Sequence, residues 1–551
     1  MTRVLAGLMQ DDFPLSLHHI RRRMRSCSPD ATVVTLTEPG EVRRATFDEV
    51  SGRVDRLARA LRGLGVEQGD RVGTFAWNNQ RHFELYFAIP CVGAVLHTLN
   101  VRLFEEQLTY IVNHAEDKVI FVDDSLVGLL EKLAPSFQTV ERYVVMGATD
   151  TDRSELGRLP NAVSYEELLE KAAPGGFDYP ELDERQAAAL CYTSGTTGNP
   201  KGVLYSHRSI SLHSSATLMK DANGLSQADR VLAVVPMFHA NAWGLPYGAA
   251  LAGADLILPD RFLGAEPLAK LIAAERPTLM GCVPTIFADL LRYADGHPEI
   301  DLSSLSNAAC GGSAVPRQLM KDFQERHDVR IFQAWGMTET SPVATYSRPQ
   351  EGRHDDDYWN DRAKQGRPLP WVELRLVDDA GEEVPWDGES TGEIEVRGPW
   401  IAARYFNDDS GEDKFDAGWL RTGDIAAVDT KGFVQITDRS KDVIKSGGEW
   451  ISSVELENEL MSHADVVEAA VIAKPDERWS ERPLCCVVLQ AGADTTAQEL
   501  VEHLRGRVAN WWLPDEFAFV TEIPKTSVGK FDKKVLRAEL GRGTLEGRVQ
   551  V

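Results

Sequence analysis

Cysteines are few in this chain and follow no pattern. The seven (Cys27, Cys91, Cys191, Cys282, Cys310, Cys485 and Cys486) form no CxxC pair, and with the histidines they show no zinc spacing. An odd, unframed set excludes a disulfide scaffold and points to reduced thiols in a cytoplasmic setting. Long apolar runs are also missing, and nothing approaches the ~20 residues that a transmembrane helix requires. The opening MTRVLAGLMQDDFPLS carries acids where a signal peptide needs an apolar stretch. The expectation is a chain with no integral membrane segment, although a lipophilic substrate and peripheral membrane contact stay compatible with it. Excess positive charge is absent as well. A net charge of −25 repels nucleic acid and sets that class of partner aside. No internal repeat or low-complexity tract occurs.

What is present suits a globular enzyme: 43% hydrophobic and 26% charged residues in a chain of 551, too long for a single core. Thr46 and Glu49 form a capping-box pattern ahead of Val50, Val54, Leu57, Ala58 and Leu61 at helical spacing, and Gly63 and Gly65 close that helix. DRVGTFAW (70–77) reads as a buried strand, a helix follows from Phe83, and KVIFVDD (118–124) reads as another strand. This alternation predicts a layered α/β architecture. Near residue 440 the pattern changes. VVEAAVIA (466–473), PLCCVVLQ (483–490) and EFAFV (516–520) read as strands around a helix capped by Thr496 and Glu499. The predicted division is a large multi-layer α/β domain over 1–438, a hinge at 439–441 and a small mobile α+β domain over 442–551.

The most informative run is YTSGTTGNPKG, from Tyr192 to Gly202. It brings four hydroxyls (Thr193, Ser194, Thr196, Thr197), three glycines and Lys201 together after the apolar strand AAALCY. Glycines let successive backbone N–H groups cradle an oxyanion, hydroxyls add donors and the lysine adds charge. By composition alone it fits a flexible surface turn equally well. It is not a Walker A loop, because proline precedes Lys201 and the GxxxxGK[ST] spacing is absent. Six further runs follow in order: VVPMFHANAWG (234–244), CGGSAVP (310–316), QAWGMTE (333–339), LRTGD (420–424), DRSKDVIKSGGEWIS (438–452) and PKTSVGK (524–530).

This ordered set resembles the signature of the adenylate-forming superfamily, which comprises acyl-CoA synthetases, peptide-synthetase adenylation domains and firefly-type luciferases. Over its whole length the chain looks most like bacterial medium- and long-chain fatty-acyl-CoA synthetases. The resemblance implies a two-step reaction: a carboxylic acid and ATP give an acyl adenylate and pyrophosphate, and coenzyme A then takes the acyl group. Both reactants of the first step are anionic, so positioning and cationic clamps are the expected devices.

Residue by residue, the resemblance implies that Lys530 bridges the acid's carboxylate and the phosphates, while Lys525, Lys533, Lys534 and Arg537 read as ordinary tail lysines and arginine. It assigns ATP or AMP to Thr193, Ser194, Gly195, Thr196, Thr197, Gly198 and Lys201, and to Gly312, Gln333, Ala334, Trp335, Gly336, Thr338, Asp424 and Arg439. Trp335 would stack on adenine, Asp424 would accept from the ribose hydroxyls and Arg439 would lie near them. Glu339 would hold Mg²⁺ with Thr193, ahead of Thr196. His239 would flank the reacting carboxylate. Trp243, Tyr247, Cys282 and Val283, with Thr285, would shape the acyl pocket, Trp243 as the gate of a fatty-acid tunnel. Trp243 between Ala242 and Gly244 also reads as plain core. Lys441 would be the hinge about which the small domain turns, exchanging the Lys530 face for one bearing Lys445, Gly447, Gly448 and Trp450 that lines the coenzyme A path. A homodimer is implied as well.

Other readings share these motifs. A luciferase-like oxygenase would oxidise the adenylate, a stand-alone adenylation domain would load a separate carrier protein, and a non-catalytic binding protein would need the catalytic set to be broken, which it is not. The acid itself is open between fatty acids of various lengths and short thioether acids such as methylmercaptopropionate.

Overall fold

The computed structural model describes residues 7–147, 156–193, 199–350, 355–378, 380–409, 411–439, 442, 444–446, 449–476, 478–526 and 530–551, with the side chains of Arg439, Glu449 and Trp450 outside that description. The architecture is mixed α/β, a large N-terminal part followed by a small C-terminal one.

Among the described residues there are four sheets. One has nine strands, with a parallel centre made of 255–258, 230–233, 279–282, 307–311 and 330–336. A second has seven, with 162–164, 142–146, 117–123, 71–75, 95–98 and 187–192 running parallel and 202–206 folding back antiparallel. The central strands of both are buried along most of their length and largely apolar, as suits strands covered on both faces. A five-stranded antiparallel sheet follows, including 391–397, 419–428 and 434–439. The small C-terminal sheet has six strands, its longest pair being Val466–Asp476 with Ser480–Leu489.

Local signals act as their chemistry dictates. Thr46 Oγ1 accepts from Glu49 N, and Glu49 Oε2 accepts from Thr46 N at 2.7 Å, opening the helix Phe47–Gly63. Gly65 follows with φ +81°, a left-handed turn that glycine adopts without penalty. The same box at Thr496 and Glu499 opens Ala497–Leu504. The helix expected from Phe83 begins earlier, at Gln80, because the Asn79 side chain accepts from His82 N at 3.0 Å. That helix is buried on every face, so it lacks the amphipathic period that would have marked its start.

One consequence positions the site. The parallel strands of the nine-stranded sheet all release their chains at the same edge: 230–233 into Val234–His239, 279–282 into Val283, 307–311 into Gly312 and 330–336 into Met337–Glu339. Open parallel sheets bind ligands at this carboxyl edge.

Candidate active site

Lys530 comes from the small sheet's side of the molecule and lies over the carboxyl edge of the nine-stranded sheet. A Cβ placed on Gly312 would lie 3.2 Å from Lys530 Cε, 4.0 Å from its Nζ and 3.3 Å from Val283 Cγ1. Gly312 has φ +90°, a left-handed turn that favours glycine, and a side chain there would also crowd Lys530 and Val283. The lysine is set by its own loop: Thr526 N donates to Lys530 O at 2.7 Å, and Lys530 N donates to Thr526 Oγ1 at 3.2 Å. His239 shares this space. Its pKa is lowered to about 3, first by burial and second by the positive charge of Lys530. The ring is therefore neutral at physiological pH and offers a hydrogen-bonding edge without charge.

Trp243 follows His239 in an unusual turn. Ala240, Asn241, Ala242 and Trp243 all have φ between 42° and 55°, and Gly244 has 75°. Left-handed backbone costs roughly 1–2 kcal/mol per non-glycine residue. Ala242 N donates to His239 O, and Cys191 Sγ donates to Asn241 Oδ1 at 3.2 Å, holding the turn. The turn lays the indole across two neighbouring strands. A Cβ on Gly311 would lie 3.4 Å from Trp243 Cη2, and one on Gly281 would lie 4.0 Å from its Cε3. Gly281, which the motifs did not single out, is thus on the Trp243 side. Cys282 is not: alternate strand residues face opposite ways, and Cys282 lies in the other core with Met280, Phe287 and Cys310. This corrects its expected place in the acyl wall. Tyr247 is packed against Tyr86 and Phe87, with ring centroids 5.1 and 5.8 Å away.

The loop after Tyr192 is closed at its neck. Thr193 N donates to Lys201 O at 2.9 Å, and Lys201 N donates to Thr193 Oγ1 at 3.0 Å. Ser194, Gly195, Thr196, Thr197 and Gly198 lie outside the described residues. Lys201 Nζ sits 3.8 Å from Asp408 and 4.8 Å from the Tyr405 ring centre, and Tyr405 Oη donates to Glu339 Oε1 at 2.6 Å. Glu339, only 5% exposed, is thereby linked to Lys201 through Tyr405. Tyr405 and Asp408 carried no sequence signal, since they occupy an irregular segment joined to the site only by tertiary packing. Tyr205 Oη donates to Thr338 O at 2.6 Å and steadies the same turn.

Among the residues expected at the nucleotide, Gln333 Oε1 accepts from Val315 N at 2.6 Å while its Nε2 donates to Ala363 O, so it fixes the CGGSAVP loop. Gly311 and Ala334 are register partners, and Gly336 abuts Pro342 O too closely for any side chain. Trp335 is 8% exposed, and its Nε1 donates to Asp424 Oδ2 at 2.8 Å. Arg439 stands directly opposite Asp424 in the adjacent strand. In the small sheet, Lys445 is exposed and pairs with Trp450 across a hairpin. Lys441, Gly447 and Gly448 lie outside the described residues.

A family model described as "AMP-binding enzyme" matches residues 21–406, and one described as "AMP-binding enzyme C-terminal domain" matches residues 455–530. The chain belongs to the AMP-binding enzyme family. It is 44% identical over 512 residues to a medium-chain-fatty-acid–CoA ligase of Ectopseudomonas oleovorans, covering 92% of this chain and 93% of the relative. It is 44% identical over 510 residues to a 3-methylmercaptopropionyl-CoA ligase of Ruegeria lacuscaerulensis, covering 92% and 94%. A long-chain-fatty-acid–CoA ligase of Thermus thermophilus is 45% identical over 536 residues, 96% of each chain. Among solved structures, the anthranilate CoA ligase AuaEII in complex with anthranoyl-AMP superposes with a TM-score of 0.86 at 28% identity, covering 97% of this chain and 99% of that one.

Proposed function

We infer that this enzyme is an ATP-dependent, AMP-forming acyl-CoA ligase, and we propose a medium- to long-chain fatty acid as its substrate. In the first half-reaction a carboxylate oxygen attacks the α-phosphorus of ATP, the bond to pyrophosphate breaks and acyl-AMP remains. In the second the thiol sulfur of coenzyme A attacks the acyl carbon, the carbon–oxygen bond to AMP breaks and the thiol proton leaves to solvent. The observation that carries the reading is the convergence of Lys530, His239, Val283 and Gly312 at the carboxyl edge of the sheet. A cation placed there meets the charge that develops as two anions combine. His239, neutral, is assigned a hydrogen bond to the acid's carboxylate, and Trp243 the wall of the acyl channel.

Mg²⁺, when bound, offsets phosphate charge. We assign it to Glu339 and Thr193, an oxygen donor set that suits a hard cation. Asp424, held by Trp335, is assigned the ribose. For the second half-reaction we propose that residues 442–551 turn about 439–441 and bring the Lys445–Trp450 hairpin to the site. No helix is long and apolar enough to cross a membrane among the described residues. All seven cysteines are unpaired, which supports a cytoplasmic setting. A homodimer would cover the exposed Leu8, Met9 and Phe13, and sedimentation tests it.

Kinetics on a panel of acids from C3 to C18, with 3-methylmercaptopropionate included, test the reading. Coenzyme A thioester, AMP and pyrophosphate should form in equal amounts, with kcat/KM highest for a fatty acid of medium or long chain. A maximum at methylmercaptopropionate would support the second reading, which the Ruegeria relative favours. Failure of coenzyme A to accept the acyl group would overturn the ligase reading.

A further inference from the structure

We propose that Asn78 is a positioning residue for His239. The inference rests on the reading of His239 as the group beside the acid's carboxylate, and goes beyond it by naming what holds that group in place.

Asn78 is 2% exposed and lies three residues past the strand Arg71–Phe75 of the seven-stranded sheet. Its side chain crosses to the other large sheet. There its Oδ1 accepts from Met237 N at 2.7 Å, and its Nδ2 donates to Ala233 O and Val235 O, each at 2.8 Å. One amide therefore engages three backbone groups of the stretch that delivers His239, and both of its N–H groups are used. The partners fix the amide's orientation, because a flipped side chain would set NH₂ against the Met237 N–H. Aspartate has no donor to offer the two carbonyls, and glutamine is one methylene too long.

Three further contacts close the frame. Asp260 N donates to Asn78 O at 2.8 Å, tying Asn78's own backbone to the nine-stranded sheet. Tyr86 Oη, from the helix Gln80–Cys91, donates to Met237 O. His239 N donates to Pro236 O at 2.9 Å, so the turn that ends in the imidazole starts within the clamped stretch.

Placement matters here for two reasons. The imidazole is neutral beside Lys530, so charge does not draw it to an anionic substrate. The four left-handed residues that follow it form a strained turn, tied down by Ala242 N donating to His239 O and Cys191 Sγ donating to Asn241 Oδ1, so the stretch that enters the turn has to be fixed as well. The clamp holds the stretch on the N-terminal side of the ring through Ala233, Val235 and Met237.

The test is a double-mutant cycle on the full-length enzyme. It follows acid-dependent pyrophosphate release without coenzyme A, using MgATP and the panel acid of highest kcat/KM. Because misplacement by about 1 Å can cost roughly 10²-fold in rate, Asn78→Ser should lower the adenylation rate by about 10- to 100-fold, with KM for ATP unchanged. Tyr86→Phe, which keeps the ring, should cause a smaller loss. Both losses should largely vanish in a His239→Ala background, because residues acting through one another are not additive. Multiplicative losses, or parental rates in Asn78→Ser and Tyr86→Phe while His239→Ala is slow, would overturn the positioning role and leave the reading of His239 standing. A parental rate in His239→Ala would overturn both. If Asn78→Ser does not fold, the Tyr86→Phe cycle decides by the same criteria.

Discussion

The indole N–H of Trp335 donates to the Asp424 carboxylate across 2.8 Å, joining the QAWGMTE strand of one sheet to the LRTGD strand of another. Two motifs that are far apart in sequence thus share one hydrogen bond, made to the residue assigned to the ribose. Hydrogen bonds to charged groups contribute about 1.5–3 kcal/mol, so Trp335→Phe, which keeps a flat ring and removes the donor, should raise KM for ATP by roughly 10-fold or more. KM for the acid should stay put. Steady-state kinetics with each substrate varied in turn check this; an unchanged ATP KM would mean that Asp424 needs no help from the indole.

The second relationship is electrostatic. Burial is the larger cause of the low His239 pKa, and Lys530 adds to it. Lys530→Ala removes the positive charge but not the burial. The His239 pKa should therefore rise from about 3 and still remain below the ordinary 6.5. NMR titration of the labelled imidazole reads this directly, without any turnover. The sign also fixes a stability effect. The unfolded ring takes up a proton near pH 6.5 and the folded one near pH 3, so this group lowers stability as pH falls through that window. Lys530→Ala should lessen that loss, and a His239 pKa that does not move would place the two groups apart.

Much of this was legible in the sequence, because capping boxes, apolar strand runs and ordered motifs are local patterns. Thr46 with Glu49, and Thr496 with Glu499, need only three residues of separation to be read. Gly312 and Lys530 of two separate motifs lie together with Val283 of the expected acyl pocket. What escaped was set by tertiary register. Cys282 and Gly281 differ only in which face of a fully buried strand they occupy, and an unbroken apolar run carries no alternation to tell them apart. Tyr405 reaches Glu339, and Asn78 reaches Met237, across segments with no shared periodicity.

The proposed rotation separates the half-reactions on two faces of the small domain. Lys530→Ala removes a charged donor at the developing phosphate charge, which typically costs about 10²–10³ in rate, so acyl-AMP formation should fall by that order. Pre-formed acyl-AMP with coenzyme A should still give thioester at near-parental speed. Gly448→Trp should do the reverse, sparing one turnover of pyrophosphate release and blocking thiol entry. Lys441→Pro should act in the same direction by restricting the hinge dihedral. Equal damage to both half-reactions by Lys530→Ala and Gly448→Trp would rule out the two-face arrangement.

The last prediction separates the ring of Trp243 from the backbone that carries it. The indole covers Gly281 and Gly311, so it fills space beside the strands that frame the reacting group. Its backbone is left-handed, at φ 55°. Trp243→Ala removes the ring and keeps the strain; Trp243→Gly removes both. If the ring bounds the acyl channel, the two variants should share one altered chain-length profile, shifted toward longer or bulkier acids, with KM for ATP unchanged. They should differ in stability. Relief of left-handed strain contributes roughly 1–2 kcal/mol, and glycine's greater freedom when unfolded offsets about 0.5–1 kcal/mol of it. Trp243→Gly should thus be the more stable variant by up to about 1.5 kcal/mol, read from chemical denaturation. A parental acid profile in both variants, with stability lost in both, would assign the indole to core packing instead of the channel. An alanine variant as stable as the glycine one would show that the turn relaxes once the ring is gone, and that the ring itself holds residues 240–243 left-handed.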